Sequence, residues 1–148
     1  MPGAEAEPST AVLDASVAVR WLVPERGSEQ AAELLGGPQS WIAPRLMLTE
    51  VAAALRRKVV AGELRVELAI QALDTLVQAV GDGTVRLADD EEVVSSALML
   101  ALTLEHRVPD CLYLAVAERE GAGLVTADRR LDELARARGI SSHLVPSA

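Results

Sequence analysis

The sequence predicts an α/β fold built on a central, mainly parallel sheet. Three observations predict it. Short uncharged runs such as Ala11-Val12-Leu13 and Leu124-Val125-Thr126 are continuous rather than alternating, as in strands buried on both faces. Segments of helical apolar spacing lie between them, most clearly Val66, Ala69, Ile70, Leu73, Leu76, Val77 and Val80. Strand and helix candidates then alternate along the chain, the pattern of crossover connections.

The elements follow in order. Residues 11–13 make the first strand and run into Asp14, Ala15 and Ser16. Residues 17–22 read as a short helical turn stopped by Pro24, and Ser28 is placed to cap a helix over 29–35 that Gly36-Gly37-Pro38 ends. Residues 41–43 make a second strand. Pro44 then opens a long helix to about Val60, at a position where its missing N–H costs nothing. Ala61-Gly62 break that helix, the periodic segment 66–80 follows, and Gly81-Asp82-Gly83 turn the chain into a third strand at 84–88. Asp89 and Asp90 are placed to cap a helix whose apolar face is Val93, Val94, Ala97, Leu98, Ala101 and Leu104. The next helix starts around Pro109-Asp110 and runs to Glu120. Residues 124–126 form a fourth strand, 131–138 a helix with Gly139 at its C′ position, and 140–145 a last strand. Residues 1–9 hold three Pro or Gly and two Glu and no basic stretch, so they read as a flexible tail and not a signal peptide. Residues 10–148 are expected to form one domain.

Composition narrows the function. Half of the 148 residues are hydrophobic and the mean hydropathy is +0.22, enough for an aliphatic core of Leu, Val and Ala. With no Phe, one Tyr and two Trp, a base-stacking platform for single strands is disfavoured. The net charge of −8 counts against a broad basic nucleic-acid footprint but leaves room for a small acidic site that uses metal ions. The single Cys, Cys111, allows neither an internal disulfide nor a thiolate cluster, which fits a reducing cytoplasm. No run approaches the roughly 18 apolar residues of a membrane span.

Four acids stand in awkward places. On a helix, Glu50 has Leu46, Met47, Ala53 and Ala54 as its neighbours three and four positions away, so its carboxylate projects from the face that meets the core. A carboxylate there needs a cation, a hydrogen-bond partner or a raised pKa. Asp14 and Asp128 lie just past the carboxyl ends of strands, on the rim where parallel sheets bind ligands. Asp110 lies at the start of a helix that packs near that rim. Taken singly, Asp14, Asp110 and Asp128 read equally well as helix caps, and Glu50 as an amphipathic edge residue. Brought together, four carboxylates repel unless a metal compensates them, and an all-oxygen set suits Mg²⁺ or Mn²⁺. Such ions generate a nucleophile from water and stabilise the leaving oxygen in phosphodiester hydrolysis.

The motifs that carry these acids resemble a known family. Val12-Leu13-Asp14-Ala15-Ser16 with Val19-Arg20-Trp21-Leu22, Ala43-Pro44 leading to Glu50, Pro109-Asp110-Cys111-Leu112-Tyr113-Leu114-Ala115, and Leu124-Val125-Thr126-Ala127-Asp128-Arg129-Arg130-Leu131 together resemble a PIN domain. The resemblance is strongest to the VapC-type ribonuclease toxins of type II toxin–antitoxin systems and covers residues 11 to 145. It implies a three-layer α/β/α PIN-like domain and metal-dependent endoribonuclease activity on RNA. The family's acidic quartet falls on Asp14, Glu50, Asp110 and Asp128 as catalytic and Mg²⁺-binding residues, supported by Ser16 and Thr126. A homodimer and an antitoxin protein that blocks the pocket are implied as partners. The chain departs from the family at Pro109, where an aromatic often precedes the third acid.

Other residues carry weaker expectations. Arg129 and Arg130 are candidate substrate contacts beside Asp128. Arg56-Arg57-Lys58 is a basic patch placed to favour a helix C-terminus. His106 and His143 lie near no recognisable nucleophile, and His106 reads as the decoration of a helix end. Cys111 reads as an inert buried thiol. Asp89-Asp90-Glu91-Glu92 reads as a solvated helix start. Two competing functions remain: a catalytically silent PIN-like module that binds RNA or protein, and a phosphoacceptor domain with Asp14 in an acidic pocket. The second lacks a convincing Lys after a later strand.

Overall fold

β1 (Thr10–Leu13) is the middle strand of a five-stranded sheet in which every pairing is parallel. β2 (Ser40–Pro44) and β3 (Val85–Ala88) extend the sheet on one side, β4 (Gly123–Thr126) and β5 (Ser142–Leu144) on the other. The chain thus lays strands outward from β1 and then returns to start again at its opposite edge. That reversal falls between β1 and β4, and crevices open at such points outside the carboxyl ends of the strands. Val12, Leu13, Ile42 and Leu124 are buried, as strands covered on both faces require.

This computed structural model describes residues 9–147; the expected tail lies outside the described residues except for Ser9, whose carbonyl accepts the Ser40 N–H at 3.0 Å. Among the described residues, seven helices flank the sheet in an α/β/α arrangement: α1 (Ala15–Leu22), α2 (Ser28–Leu35), α3 (Leu46–Val60), α4 (Val66–Gly81), α5 (Asp90–Leu104), α6 (Val108–Glu120) and α7 (Arg129–Ala137). α1 packs with α2, α3 and α4, while α5 covers α6 and α6 lies against β1, β2 and β4. From Asp110 to Ala117 every residue of α6 is buried, the mark of an interior helix rather than an amphipathic one.

Local chemistry departs from the sequence expectations at several points. Pro44 does not open α3. It ends β2, paired in register with Ala88, and the helix starts two residues later at Leu46. Ser28 is not the N-cap of α2; Gly27 takes that place at φ +93°, where an added Cβ would collide with the Pro146 carbonyl oxygen. The Ser28 hydroxyl instead donates to the Val23 carbonyl at 3.1 Å and accepts the Glu25 N–H at 2.9 Å. Asp89 is the N-cap of α5 but makes no side-chain cap bond, and Asp90 caps a different helix. Its carboxylate accepts the Arg45 and Leu46 N–H groups at 2.8 and 3.0 Å, satisfying the start of α3 from 45 positions away.

The expected apolar faces of α4 and α5 are only half buried. Leu76 is buried in α4 while Val66, Ile70 and Val77 are exposed; Val93, Ala97 and Ala101 are buried in α5 while Val94 and Leu98 are exposed. Both helices carry more apolar residues than one core-facing stripe can bury. The buried Asp132 is a structural lock: it accepts the Ser142 hydroxyl at 2.6 Å and Arg136 Nε at 3.1 Å, tying α7 to β5.

Replacing Asp90 by Ala should therefore lower stability by about 1–2 kcal/mol, by leaving two backbone donors of α3 without their acceptor. Urea denaturation of the two proteins checks this, and an unchanged midpoint would refute the cap across helices.

Candidate active site

β1 delivers Asp14 to the switch point. Its N–H pairs with the Val125 carbonyl at 3.1 Å, and its own carbonyl accepts the Val17 and Ala18 N–H groups, so the backbone alone starts α1. The side chain makes no cap bond and is left for other partners. Oδ2 accepts the Ser16 hydroxyl at 2.6 Å and the Thr126 hydroxyl at 2.7 Å. Each hydroxyl is fixed from behind: Ser16 Oγ accepts the Ala127 N–H at 2.9 Å, and Thr126 Oγ1 the Asp128 N–H at 3.0 Å. Burial pushes the Asp14 carboxyl up to about 6; the two hydroxyls oppose this, and the charges of Glu50 and Asp110 add to it.

Glu50 stands half-buried in the second turn of α3. Its Oε1 accepts the phenol of Tyr113 at 2.6 Å, and the same phenol oxygen accepts the Ala15 N–H at 3.3 Å. Tyr113 thus reaches from α6 to join the start of α1 to the carboxylate of α3. Burial raises the Glu50 carboxyl, with Asp110 adding to it and Tyr113, Arg107 and Arg57 opposing. Burial also raises the Tyr113 phenol, helped by Asp14 and Glu50, which keeps it a donor.

Asp110 occupies the first turn of α6. Pro109 fits the N-terminal turn without displacing it, so the departure from the family pattern leaves the carboxylate in place. Glu105, at φ +51°, ends α5 in the left-handed conformation and turns the chain so that His106 and Arg107 fall beside Asp110. His106 Nε2 lies 2.8 Å from Asp110 Oδ2, and Arg107 Nη2 lies 3.2 Å from the same oxygen. Asp128 is the N-cap of α7, its Oδ1 accepting the Arg130 and Leu131 N–H groups at 2.9 and 3.1 Å. The Asp110 side chain raises the Arg107 guanidinium, and Glu50 and Asp128 add to it, so one cation senses three of the four acids.

The structure therefore brings Asp14, Glu50, Asp110 and Asp128 to one end of the sheet, with Ser16 and Thr126 between two of them. Arg129 and Arg130 are exposed on the first turn of α7, where Arg130 pairs with Glu133 at 3.7 Å. Three neighbours escaped the sequence reading. His106 is a partner of Asp110 rather than helix-end decoration, and Arg107 and Tyr113, to which the sequence assigns no role, hold Asp110 and Glu50. The available signals were the spacings of four and three residues to Asp110 and a single Tyr in an apolar helix, whose hydroxyl must find a partner when buried. In the acidic stretch 89–92, Asp89 pairs with Arg45 and Glu92 with Arg119, while Asp90 caps α3. Cys111 is buried and free, its thiol raised by burial.

Among the described residues, no three His, Cys, Asp or Glu side chains converge as a finished metal cage. The donor chemistry nevertheless fits a hard divalent cation. Asp14, Glu50 and Asp128 each have one carboxylate oxygen held by the protein, while Oδ1, Oε2 and Oδ2 respectively have no partner among the described residues. Mg²⁺ takes one or two carboxylates directly and keeps several waters, so it needs no all-protein cage.

Comparison with known proteins matches the PIN domain family model to residues 11–137. The chain belongs to the PIN domain family. A curated relative, Ribonuclease VapC3 of Pyrobaculum aerophilum, is 34% identical over 122 residues, which cover 82% of this chain and 92% of the relative. Among solved structures, the PIN domain fold is shared with VapC20 of Mycobacterium tuberculosis, a sarcin-ricin loop cleaving toxin (TM-score 0.66, 16% identity, covering 88% of this chain and 95% of that one). It is also shared with VapBC2 of Rickettsia felis bound to a promoter DNA fragment (TM-score 0.62, 13% identity, covering 92% and 98%).

The raised Asp14 carboxyl has a consequence for the stability of this PIN domain. Between 3.8 and about 6 the unfolded chain has already released a proton that the folded chain keeps. Stability without divalent metal therefore falls as pH rises through that window, and a cost of about 3 kcal/mol is fully present above it. Asn at position 14 can still accept both hydroxyls on one oxygen and carries no charge. Asp14→Asn should be about 1–3 kcal/mol more stable than the parent near pH 7.5 in chelator, with the gap closing below about pH 4. Urea denaturation across pH tests this; a parent more stable than the variant at pH 7.5 would contradict it.

Proposed function

We propose that this PIN domain is the toxin of a toxin–antitoxin pair, a metal-dependent endoribonuclease that hydrolyses RNA phosphodiester bonds. The observation that carries the reading is the half-engaged carboxylate trio at the strand switch point, with Asp14 buried, Glu50 half-buried and one oxygen of each acid left without a protein partner among the described residues. The 34% identity to a ribonuclease and the shared fold with an RNA-cleaving toxin support it.

Asp14, Glu50, Asp110 and Asp128 would hold Mg²⁺, or Mn²⁺, directly or through water. When bound, the ion supplies charge compensation for the phosphodiester and lowers the pKa of water. The chain's own groups do the positioning. Ser16 and Thr126 orient Asp14, Tyr113 orients Glu50, and His106 orients Asp110. Arg107 is the cation nearest the acids, and Arg129 and Arg130 stand ready to meet substrate phosphates. The fold shared with VapBC2 supports an antitoxin protein as partner, and a second copy of the chain is the other expected partner. The exposed apolar residues of α4 and α5 offer surface for both. No described helix is long and apolar enough to cross a membrane, and we place the reaction in the cytoplasm with its RNA.

Expression of the chain alone beside Asp14→Asn tests the reading. Growth arrest and Mg²⁺-dependent RNA cleavage are expected from the parent and not from the variant. RNA retention indifferent to chelator and to Asp14→Asn would replace the enzyme by a silent binding module. The phenol has its own test: Tyr113→Phe should raise the Mg²⁺ concentration for half-maximal cleavage by about 10–100-fold. An unshifted Mg²⁺ requirement would remove Tyr113 from the positioning of Glu50.

A further inference from the structure

We propose that the cleft between α1 and α3 binds an RNA phosphate flanking the scissile one, with Arg57 and Lys58 as its donors. The proposal rests on the ribonuclease reading and extends it to the path of the substrate.

The cleft has a volume of about 430 Å³ and is lined by Ser16, Arg20, Glu25, Arg57 and Lys58 around the small side chains Ala54 and Ala61. It adjoins the acidic site through Ser16, whose hydroxyl donates to Asp14. Glu50, Ala54, Arg57 and Ala61 recur at intervals of four, three and four residues, which sets them on one face of α3. Arg57 follows Glu50 by seven residues, roughly 10 Å along the helix axis. Its charge reaches the Glu50 carboxylate, so the two ends of this face are electrostatically connected.

The cations of the cleft differ in their duties. Arg20 is committed to structure: its guanidinium donates to the carbonyls of Ser16 at 2.6 Å, Arg26 at 3.1 Å and Pro146 at 3.2 Å. Lys58 Nζ is held by Glu25 Oε2 at 2.6 Å, and Arg20 Nη1 lies 3.5 Å from the other oxygen of Glu25. Arg57 is exposed and has no acidic partner among the described residues. Three cations thus face Glu25 and Glu63 in a chain whose net charge is −8. An anionic strand approaching a cluster of acids needs such a local cationic handle, because distant surface charges are screened. No aromatic ring lines the cleft, so backbone phosphate is the chemistry it reads rather than stacked bases. Glu25 is then an internal competitor, holding Lys58 until a phosphate takes its place.

Binding of a fluorescein-labelled single-stranded RNA to the Asp14→Asn protein, measured by anisotropy across a salt series, tests the proposal, beside cleavage kinetics in the parent background. Arg57→Ala should weaken binding about 3–10-fold and reduce the slope of log K against log[salt] by about 0.7, the value of one phosphate contact on a single strand. Lys58→Ala should act in the same direction and Glu25→Gln should tighten binding. In the parent background Arg57→Ala should raise KM by a larger factor than it lowers kcat. If the parent cleaves RNA while Arg57→Ala leaves affinity, slope and KM untouched, the phosphate site is overturned and the ribonuclease reading stands. If the parent neither binds nor cleaves RNA, both fall. An oligoglutamate peptide is the control for a protein occupant: loss of its binding in Arg57→Ala, with RNA binding unchanged, assigns the cleft to an acidic protein segment instead.

Discussion

The structure depends on holding like charges together where the strand order of a parallel sheet reverses. Asp14 is buried at the end of the central strand, within reach of the charges of Glu50 and Asp110. Removing carboxylates from water and crowding them is costly on both counts. The fold tolerates it because neutral donors are aimed at the acids from several elements. Two hydroxyls meet on one oxygen of Asp14, and a phenol meets one oxygen of Glu50. Those donors are themselves anchored to backbone N–H groups, so the acids are fixed to the ends of β1 and β4 and the start of α1.

The burial of α6 follows from the same constraint. One helix must present Asp110 and Tyr113 to a site assembled from β1, α3 and β4, so it runs against the sheet with its residues buried on all sides. A continuous apolar run around a single acid is the sequence form of that position. The left-handed Glu105 sets the entry to the helix and with it the placement of His106 and Arg107. Exposure separates these two: the His106 side chain is 16% exposed and that of Arg107 is 74% exposed. Histidine is part of the wall, while the arginine reaches in from solvent, where water screens its hold on Asp110.

What could be read in the chain was local. The buried strands, the alternation with helices and the acids at strand ends all follow from spacing over a few residues; the order of the strands in the sheet does not. What could not be read was pairing over long separations. Asp90 looks like the cap of its own helix, yet the N–H groups it satisfies belong to α3. Pro44 looks like a helix start because proline suits one, but the ladder with β3 claims it for the strand. Apolar periodicity in α4 and α5 marks the helices but leaves their burial open, since periodicity shows that a face is apolar and not what covers it. Tyr113 was lost among apolar neighbours although its hydroxyl joins residues 98 and 63 positions away.

The choice of partners for the acids sets what the site can do. Had Lys or Arg stood in place of Ser16, Thr126 and Tyr113, ion pairs would fix the carboxylates and cancel their charge in one step. Hydroxyl donors fix geometry and leave the charge in place. The cations remain at the margin, with Arg107 reaching in from solvent and Arg57 and Lys58 in the adjoining cleft. A site arranged in this way has carboxylates at its centre and, beside it, a cleft where three cations face two acids. On the proposed reading a divalent cation would be drawn to the carboxylates and a phosphate to the cations, which would let an acidic protein attract an anionic polymer to a cluster of acids.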